Sequence, residues 1–413
     1  MNILFLTMSS GLRNVSASGI YTDLMRKFRD EGHEVYIIYP NERRTGLPTA
    51  VEVNNGVHCL GVRTLNVTKT SIIEKGVGQL LLEDLFMRAM NRYFGNVRFD
   101  LILYSTPPIT FNKVIKAAKR RNPEAMTYLL LKDIFPQNAV DLGMMTKTGV
   151  KGMLYKMFRK KEKELYRISD YIGCMSPANV RFVLEHNPEV KAEKVEIAPN
   201  SYDVPSGDEE TKSDSVGVGD EAKRIREKYG LPVDKPIFIY GGNMGKPQGI
   251  PFLVECMRAV KDREDCHFVI VGDGTEYPKL EAFVNECRPK AVSVFRSLPK
   301  ADYDELAAAC DVGLIFLDYR FTIPNFPSRV LSYLESKMPV IVCSDPICDM
   351  GAIAEDNGFG LYAPSNDVEA FTETVDMMLN SDIKAMGERA FAFLKANYLV
   401  EHTYWAIMKH MVD

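Results

Sequence analysis

The sequence predicts an α/β protein built from two doubly wound, parallel-sheet domains. Three observations carry this. The apolar runs are short and unbroken rather than alternating, amphipathic helices separate them, and one polar interruption near the middle is followed by a fresh start of the same pattern. The chain has 413 residues, which fits two or three domains at roughly 100–200 residues each.

The elements follow in order. Asn2–Thr7 reads as a buried strand. Ile20, Leu24, Met25 and Phe28 then recur at helical spacing, and Gly32 closes that helix. Val35–Tyr39, Leu101–Tyr104, Thr127–Leu131 and Tyr171–Met175 continue as strands. The segment 204–220, VPSGDEETKSDSVGVGD, holds Pro, Ser, Gly and acids with almost nothing to bury, and reads as a flexible linker or surface excursion. Ile237–Tyr240, His267–Val271, Val292–Phe295, Val312–Phe316 and Val340–Cys343 are the strands of the second half. The expected domains are therefore 1–203 and 221–395.

Composition narrows the function classes. There are 51 Lys+Arg against 55 Asp+Glu, a net charge of -4, with 46% hydrophobic and 26% charged residues. This excludes a disordered chain, a coiled coil, a collagen and a polybasic nucleic-acid binder. The eight cysteines show no CxxC and no zinc spacing, so they are expected as reduced thiols in a reducing, cytoplasmic compartment. The start, MNILFLTMSS, lacks the cationic region of a signal peptide. No uncharged apolar run reaches the roughly 18 residues of a membrane span.

Ligands of open α/β sheets sit at the carboxyl ends of strands, where helix N-termini offer amide donors. Three loops there are candidates. Tyr240–Gly249, YGGNMGKPQG, follows a strand and precedes a helix. Its four glycines allow a close approach to an anion, and Lys246 adds charge. It is not a P-loop, because the spacing before Gly245-Lys246 is one residue short and Pro247 replaces the hydroxyl that would bind Mg²⁺. Gly272-Asp273-Gly274 ends the next strand but lacks the third glycine of a dinucleotide fingerprint, and by itself reads as a plain turn. In the third loop Ser328 is expected as an N-cap, with Arg329 in the first helical turn. An arginine there opposes the helix dipole, and a bound phosphate would explain it.

Asp302-Tyr303-Asp304 looks like a metal-binding pair, but it lies at a helix start, where acids complement the dipole. The six histidines form no cluster, and no metal site or nucleophile elbow is found. Residues 147–167 carry a local +6, with Met153, Leu154, Met157, Phe158 and Leu165 as an apolar side. That matches a basic amphipathic helix touching an anionic membrane, at about 1 kcal/mol per cation.

The chain resembles glycosyltransferase family 4, of GT-B fold, over nearly its full length. Its bacterial surface-polysaccharide branch, with colanic-acid and N-acetylfucosamine transferases, is the most similar. The matching segments are Gly32-His-Glu-Val35, Ser105-Thr-Pro-Pro108, Asp133-Ile-Phe-Pro136 with Leu142-Gly143, and Pro199-Asn-Ser-Tyr-Asp203. The second half adds Gly242-Asn-Met-Gly245 with Gln248-Gly249, Val271-Gly-Asp-Gly274, Leu298-Pro299, and Pro327-Ser-Arg with Pro339-Val340.

The resemblance implies two facing Rossmann-like domains and a C-terminal helix, within 396–413, crossing back to the first. It implies a nucleotide-sugar donor, UDP-linked by family habit, held by the second domain, and an acceptor approached from the first. The acceptor would be a glycan on a polyprenyl diphosphate. Transfer would retain anomeric configuration without a metal or other cofactor. By position, Gly242, Asn243, Gly245, Lys246, Gln248, Ser328 and Arg329 fall at the diphosphate, with Gly19 approaching it from the first domain. Gly272, Asp273, Ser297 and Leu298 fall near the base, and Asp133 falls against the donor sugar.

Two departures stand out. The family's Glu-x7-Glu positions are Pro324 and Ser332 here, leaving Glu335, one helical turn on, to reach the ribose. The family's phosphate-loop Arg and Lys are Asn243 and Gln248, so Lys246 and Arg329 would supply the charge. Two other readings fit the same fold: a sugar-nucleotide epimerase, and a non-catalytic partner in a polysaccharide assembly complex.

Overall fold

The computed structural model describes residues 1–67, 72–204 and 219–411. The chain forms two compact units, Met1–Asp203 with Tyr398–Asp413, and Val204–Asn397. Of the expected linker, 205–218 lie outside the described residues. Asp220 does not end that linker but opens a helix, Asp220–Lys228, with Asp220 and Glu221 in its first turn where the dipole favours acids.

The first unit holds β1 (Asn2–Leu6), β2 (Glu34–Glu42), β3 (Ala50–Asn54), β4 (Val57–Thr64), β5 (Leu101–Ser105), β6 (Met126–Leu131), β7 (Tyr171–Cys174) and β8 (Val195–Ile197). Their order in the sheet is β3-β4-β2-β1-β5-β6-β7-β8. All neighbours run parallel except β3, which lies antiparallel on β4. In register, Leu4 pairs with both Tyr36 and Ile102. Alternate residues of β1 enter different cores: Leu4 and Leu6 join Ile38 and Phe86, whereas Ile3 and Phe5 join Leu24 and Phe28. A strand buried on both faces needs an unbroken apolar run, which is why these segments do not alternate.

The chain's last helix, Val400–Met408, belongs to this unit. Val400, Tyr404, Ile407 and Met408 complete the core around Phe28. The backbone N–H groups of Tyr202 and Val400 bond to Tyr398 and Tyr202 carbonyls at 3.0 and 2.9 Å.

The second unit holds β9 (Ile237–Asn243), β10 (His267–Asp273), β11 (Val292–Arg296), β12 (Val312–Phe316), β13 (Val340–Ser344) and β14 (Gly360–Pro364). Their order is β11-β10-β9-β12-β13-β14, all parallel. The sheet grows one way from β9 and the other way from β12. The crevice at the carboxyl ends of these two strands is therefore a topological switch point.

The basic stretch forms helix Gly149–Ile168, but its apolar residues do not share one side as expected. Phe158 packs edge-on against Phe135 at 5.1 Å and Leu165 is buried in the core. Met153, Leu154 and Met157 instead face solvent, Met153 at 73% exposure. Residues 158 and 165 follow the inner stripe of the helix, and 153 and 157 lie one turn apart on the outer one. Arg159, Lys161, Lys163 and Arg167 pair with Glu162, Glu83, Glu189 and Glu164. Lys156 and Lys160 are exposed and have no acidic partner among the described residues.

Candidate functional site

At the switch point of the second unit, the loops after β9, β10 and β12 are tied backbone to backbone. The Met244 N–H donates to the Asp273 carbonyl at 3.0 Å, the Glu276 N–H to Met244 at 2.9 Å, and the Asp318 N–H to Pro247 at 2.9 Å. The glycines make this seam closable. A Cβ on Gly272 would stand 2.0 Å from the Gly242 oxygen, and one on Gly274 2.4 Å from the Met244 oxygen. Asp273 lies between them, exposed, accepting from the Gly274 N–H at 2.9 Å with an Arg296 nitrogen at 3.5 Å. Gly272 pairs with Arg296, so Ser297 (exposed) and Leu298 (half-buried) follow at the neighbouring strand end.

Within the glycine loop, the expected ligand-facing groups brace one another. Gln248 Oε1 accepts from the Gly245 N–H at 3.1 Å and from Asn243 Nδ2 at 3.3 Å. The Tyr240 hydroxyl donates to the Asn243 carbonyl at 2.9 Å. Lys246 is exposed, with no acidic partner among the described residues.

Arg329 opens helix Arg329–Glu335, half-buried, its guanidinium carbon 4.9 Å from the centre of the Tyr303 ring. Ser328 precedes it but makes no side-chain cap, contrary to expectation. Its backbone is already helical (φ -61°, ψ -14°), whereas a capping side chain needs the extended conformation to reach the first-turn amides. Ser332 Oγ donates back to the Arg329 carbonyl at 2.9 Å, and Glu335 ends the helix half-buried.

Gly19 and Asp133 belong to the first unit. Gly19 precedes helix Ile20–Asp30, and its N–H is already bonded to Asp23 Oδ1 at 2.9 Å. The buried Asp23 also takes Arg26 at 2.7 Å and the Asp203 N–H at 3.0 Å. Asp133 follows β6. It accepts from Asn138 Nδ2 at 2.8 Å, and its N–H donates to Thr106 Oγ1 at 3.2 Å. Burial pushes its carboxyl up to about 6. The preceding Lys132 donates to the Ala198 carbonyl at 2.9 Å, and burial pushes its ammonium down to about 7.

Residues 221–392 match the family described as glycosyl transferases group 1. Over 93% of this chain and 91% of its own length, WbjE of Pseudomonas aeruginosa, named as a glycosyltransferase, is 23% identical. The second unit matches the group 1 glycosyltransferases. WcaI of Escherichia coli (strain K12), named for colanic acid biosynthesis, is 23% identical over 62% of this chain and 60% of its own. Among solved structures, sucrose-phosphate synthase of Thermosynechococcus elongatus superposes with a TM-score of 0.75 at 15% identity, covering 100% of this chain and 98% of its own. HepE of Anabaena, solved with UDP, gives 0.66 at 13% identity, covering 100% and 99%. The fold is GT-B, of two Rossmann-like units.

The second unit also carries groups that sequence reasoning missed. A cavity of about 420 Å³ at the carboxyl edge is lined by Lys246, Phe252, Lys279, Asp318, Arg320 and Ser365, among others. Arg320 clasps Asp318 through two bonds of 2.8 and 2.7 Å. Burial alone would raise the Asp318 carboxyl, but these bonds hold it below its ordinary value. Lys279 pairs with Glu276. The available signal was position alone, since Asp318 and Arg320 directly follow a strand at the edge where ligands bind. Among the described residues no group of three or more His, Cys, Asp or Glu is placed to hold a metal ion. No described helix is long and apolar enough to cross a membrane.

Proposed function

We propose that this glycosyltransferase moves a hexosyl or N-acetylhexosaminyl group from a UDP-sugar to a growing, lipid-linked surface glycan, with retention of configuration. The observation that carries the reading is the switch-point seam of a group 1 domain with two cations on it. Lys246 sits on the loop after β9, and Arg329 is one tyrosine ring away from the same strand. The name of WcaI supports polysaccharide synthesis, and that of WbjE supports glycosyl transfer. The UDP and UDP-glucose complexes of HepE, a protein of the same fold, support the donor class.

Transfer requires the sugar–phosphate bond to ionise as charge grows on the departing diphosphate. Preorganised donors aimed at that charge are the strongest contribution a protein makes. Lys246, Arg329 and the amides of Gly242–Gly245 take that role, and the reading needs no resident metal. Within the second unit, Asp273 with Ser297 and Leu298 is assigned to the base and Glu335 to the ribose; the roles of Gly19 and Asp133 rest on the family resemblance alone. Retention follows from front-face attack, with the departing phosphate taking the acceptor's proton. Lys246→Ala and Arg329→Ala should each lower donor turnover by about 10²-fold, the scale of losing one oxyanion-type donor. Wild-type rates in both variants would overturn the assignment.

The acceptor reading includes a peripheral contact with anionic membrane at the inner face, through 147–167. Solvent-facing Met153, Leu154 and Met157 beside unpaired Lys156 and Lys160 support it. Co-sedimentation with vesicles containing phosphatidylglycerol, and not with phosphatidylcholine alone, is expected. Equal recovery in both sinks the contact.

A further inference from the structure

We propose that Tyr303 is a positioning residue that fixes the Arg329 guanidinium for its ligand. The inference rests on the reading of Arg329 as a diphosphate-binding group. Tyr303 lies in the Asp302-Tyr303-Asp304 segment, on helix Lys300–Ala308. The two acids face outward: Asp304 takes Lys300 at 2.8 Å, and Asp302 lies 3.9 Å from Lys228. The tyrosine between them turns inward and is 9% exposed.

Its place is cut out of the strand beside it. A Cβ on Gly241, in β9, would stand 2.0 Å from the Tyr303 hydroxyl oxygen. Tyr333, from the helix that Arg329 opens, fills the matching gap at Gly313 on β12, where a Cβ would stand 2.4 Å from its ring. The Tyr333 hydroxyl donates to the Ile239 carbonyl at 3.1 Å and accepts the Gly241 N–H at 3.1 Å. Two tyrosines thus occupy two glycine gaps on the strands that flank the switch point. Both rings are held by rigid elements.

Arg329 rests on the outer ring of this pair, 4.9 Å from its centre. A planar guanidinium stacks on an aromatic face, and the attraction holds within about 6 Å. A long side chain free in solution must lose rotamer freedom when a ligand arrives, whereas one already seated on a fixed ring does not. Tyr303 therefore acts through Arg329, setting where the charge stands before the diphosphate binds.

The test is a double-mutant cycle read by calorimetric binding of whichever of UDP, GDP, ADP and dTDP the wild-type chain binds. Arg329→Ala should weaken binding by about tenfold or more, as for loss of a charged hydrogen bond. Tyr303→Leu should approach that loss, Tyr303→Phe should retain wild-type affinity, and Tyr303→Leu should add nothing in the Arg329→Ala background. Tyr303→Met, of similar bulk and flexible enough to fill the gap, serves if the leucine variant fails a melting check. Loss in Arg329→Ala with none in Tyr303→Leu or Tyr303→Met overturns this inference alone. The same holds if Tyr303→Leu costs as much without Arg329 as with it. A neutral Arg329→Ala, or no binding of any nucleotide, overturns the underlying reading as well.

Discussion

At Asp133 a carboxyl group at the end of β6 has one side-chain donor, Asn138 at 2.8 Å, too little to offset its burial. Its pKa therefore stands near 6, above the ordinary value of about 3.9. The sign follows from linkage: a carboxyl with a raised folded pKa favours the folded state most below the unfolded pKa, and that advantage is lost as pH rises through the folded pKa. The window is thus from about 4 to about 6. Asp133→Asn, which keeps an acceptor for Asn138, should melt above wild type at pH 7.5, with the gap closing by pH 4. A gap of constant size across that range would show that ionisation of this carboxyl carries no cost. Residue types in the sequence located Lys246 on a loop at a strand end and Arg329 in a first helical turn, and the family resemblance added Asp133. They did not reveal that Gln248 spends its oxygen on the Gly245 N–H, or that Ser332 bonds to the Arg329 carbonyl. Such pairings depend on backbone direction, which a residue type does not encode.

Among the elements, the central parallel strands were legible because burial on both faces forces unbroken apolar runs. The edge strand β11 was legible too, but β3, β4, β8 and β14, at or next to the other edges, were not. β8 has three residues, and β14 carries both a glycine and a proline. The β3–β4 hairpin carries its own local signal, Asn55-Gly56. Both residues adopt positive φ, 49° and 75°, as a tight two-residue hairpin turn requires. The helix Gly149–Ile168 was legible as a helix but not in its facing, since charge and apolar content do not say which stripe a neighbour covers. The β9–β10 seam is the element whose sequence requirement is sharpest. Gly272→Ala must push the strand ends apart to clear the Gly242 oxygen, 2.0 Å from the new carbon. The cost should be about 1–3 kcal/mol, the range for overpacking, read as a lower urea midpoint for the second unit. An unchanged midpoint would mean the seam opens freely.

For the whole molecule, the chain order and the compact units differ. Residues 398–413 come last in sequence but complete the first unit. Four side chains of that tail, Val400, Tyr404, Ile407 and Met408, are at most 4% exposed. Each is worth roughly 1.5–3 kcal/mol on burial, as an upper estimate. Polar ties add to them: Thr403 Oγ1 accepts from Ser201 and donates to the Pro199 carbonyl, both at 2.8 Å. Glu196 takes Lys409 at 2.7 Å and His410 at 3.0 Å. Each unit has its own core, so calorimetry should resolve two transitions, as expected when two-state behaviour fails in a multidomain chain. Deleting residues 398–413 should lower one transition strongly, by stripping the core around Phe28, and leave the other in place. The milder Thr403→Val should lower the same transition by a few degrees, because the Ser201 hydroxyl loses its acceptor in a buried setting. If the deletion moves both transitions equally, or neither, the tail is not part of the first unit's core.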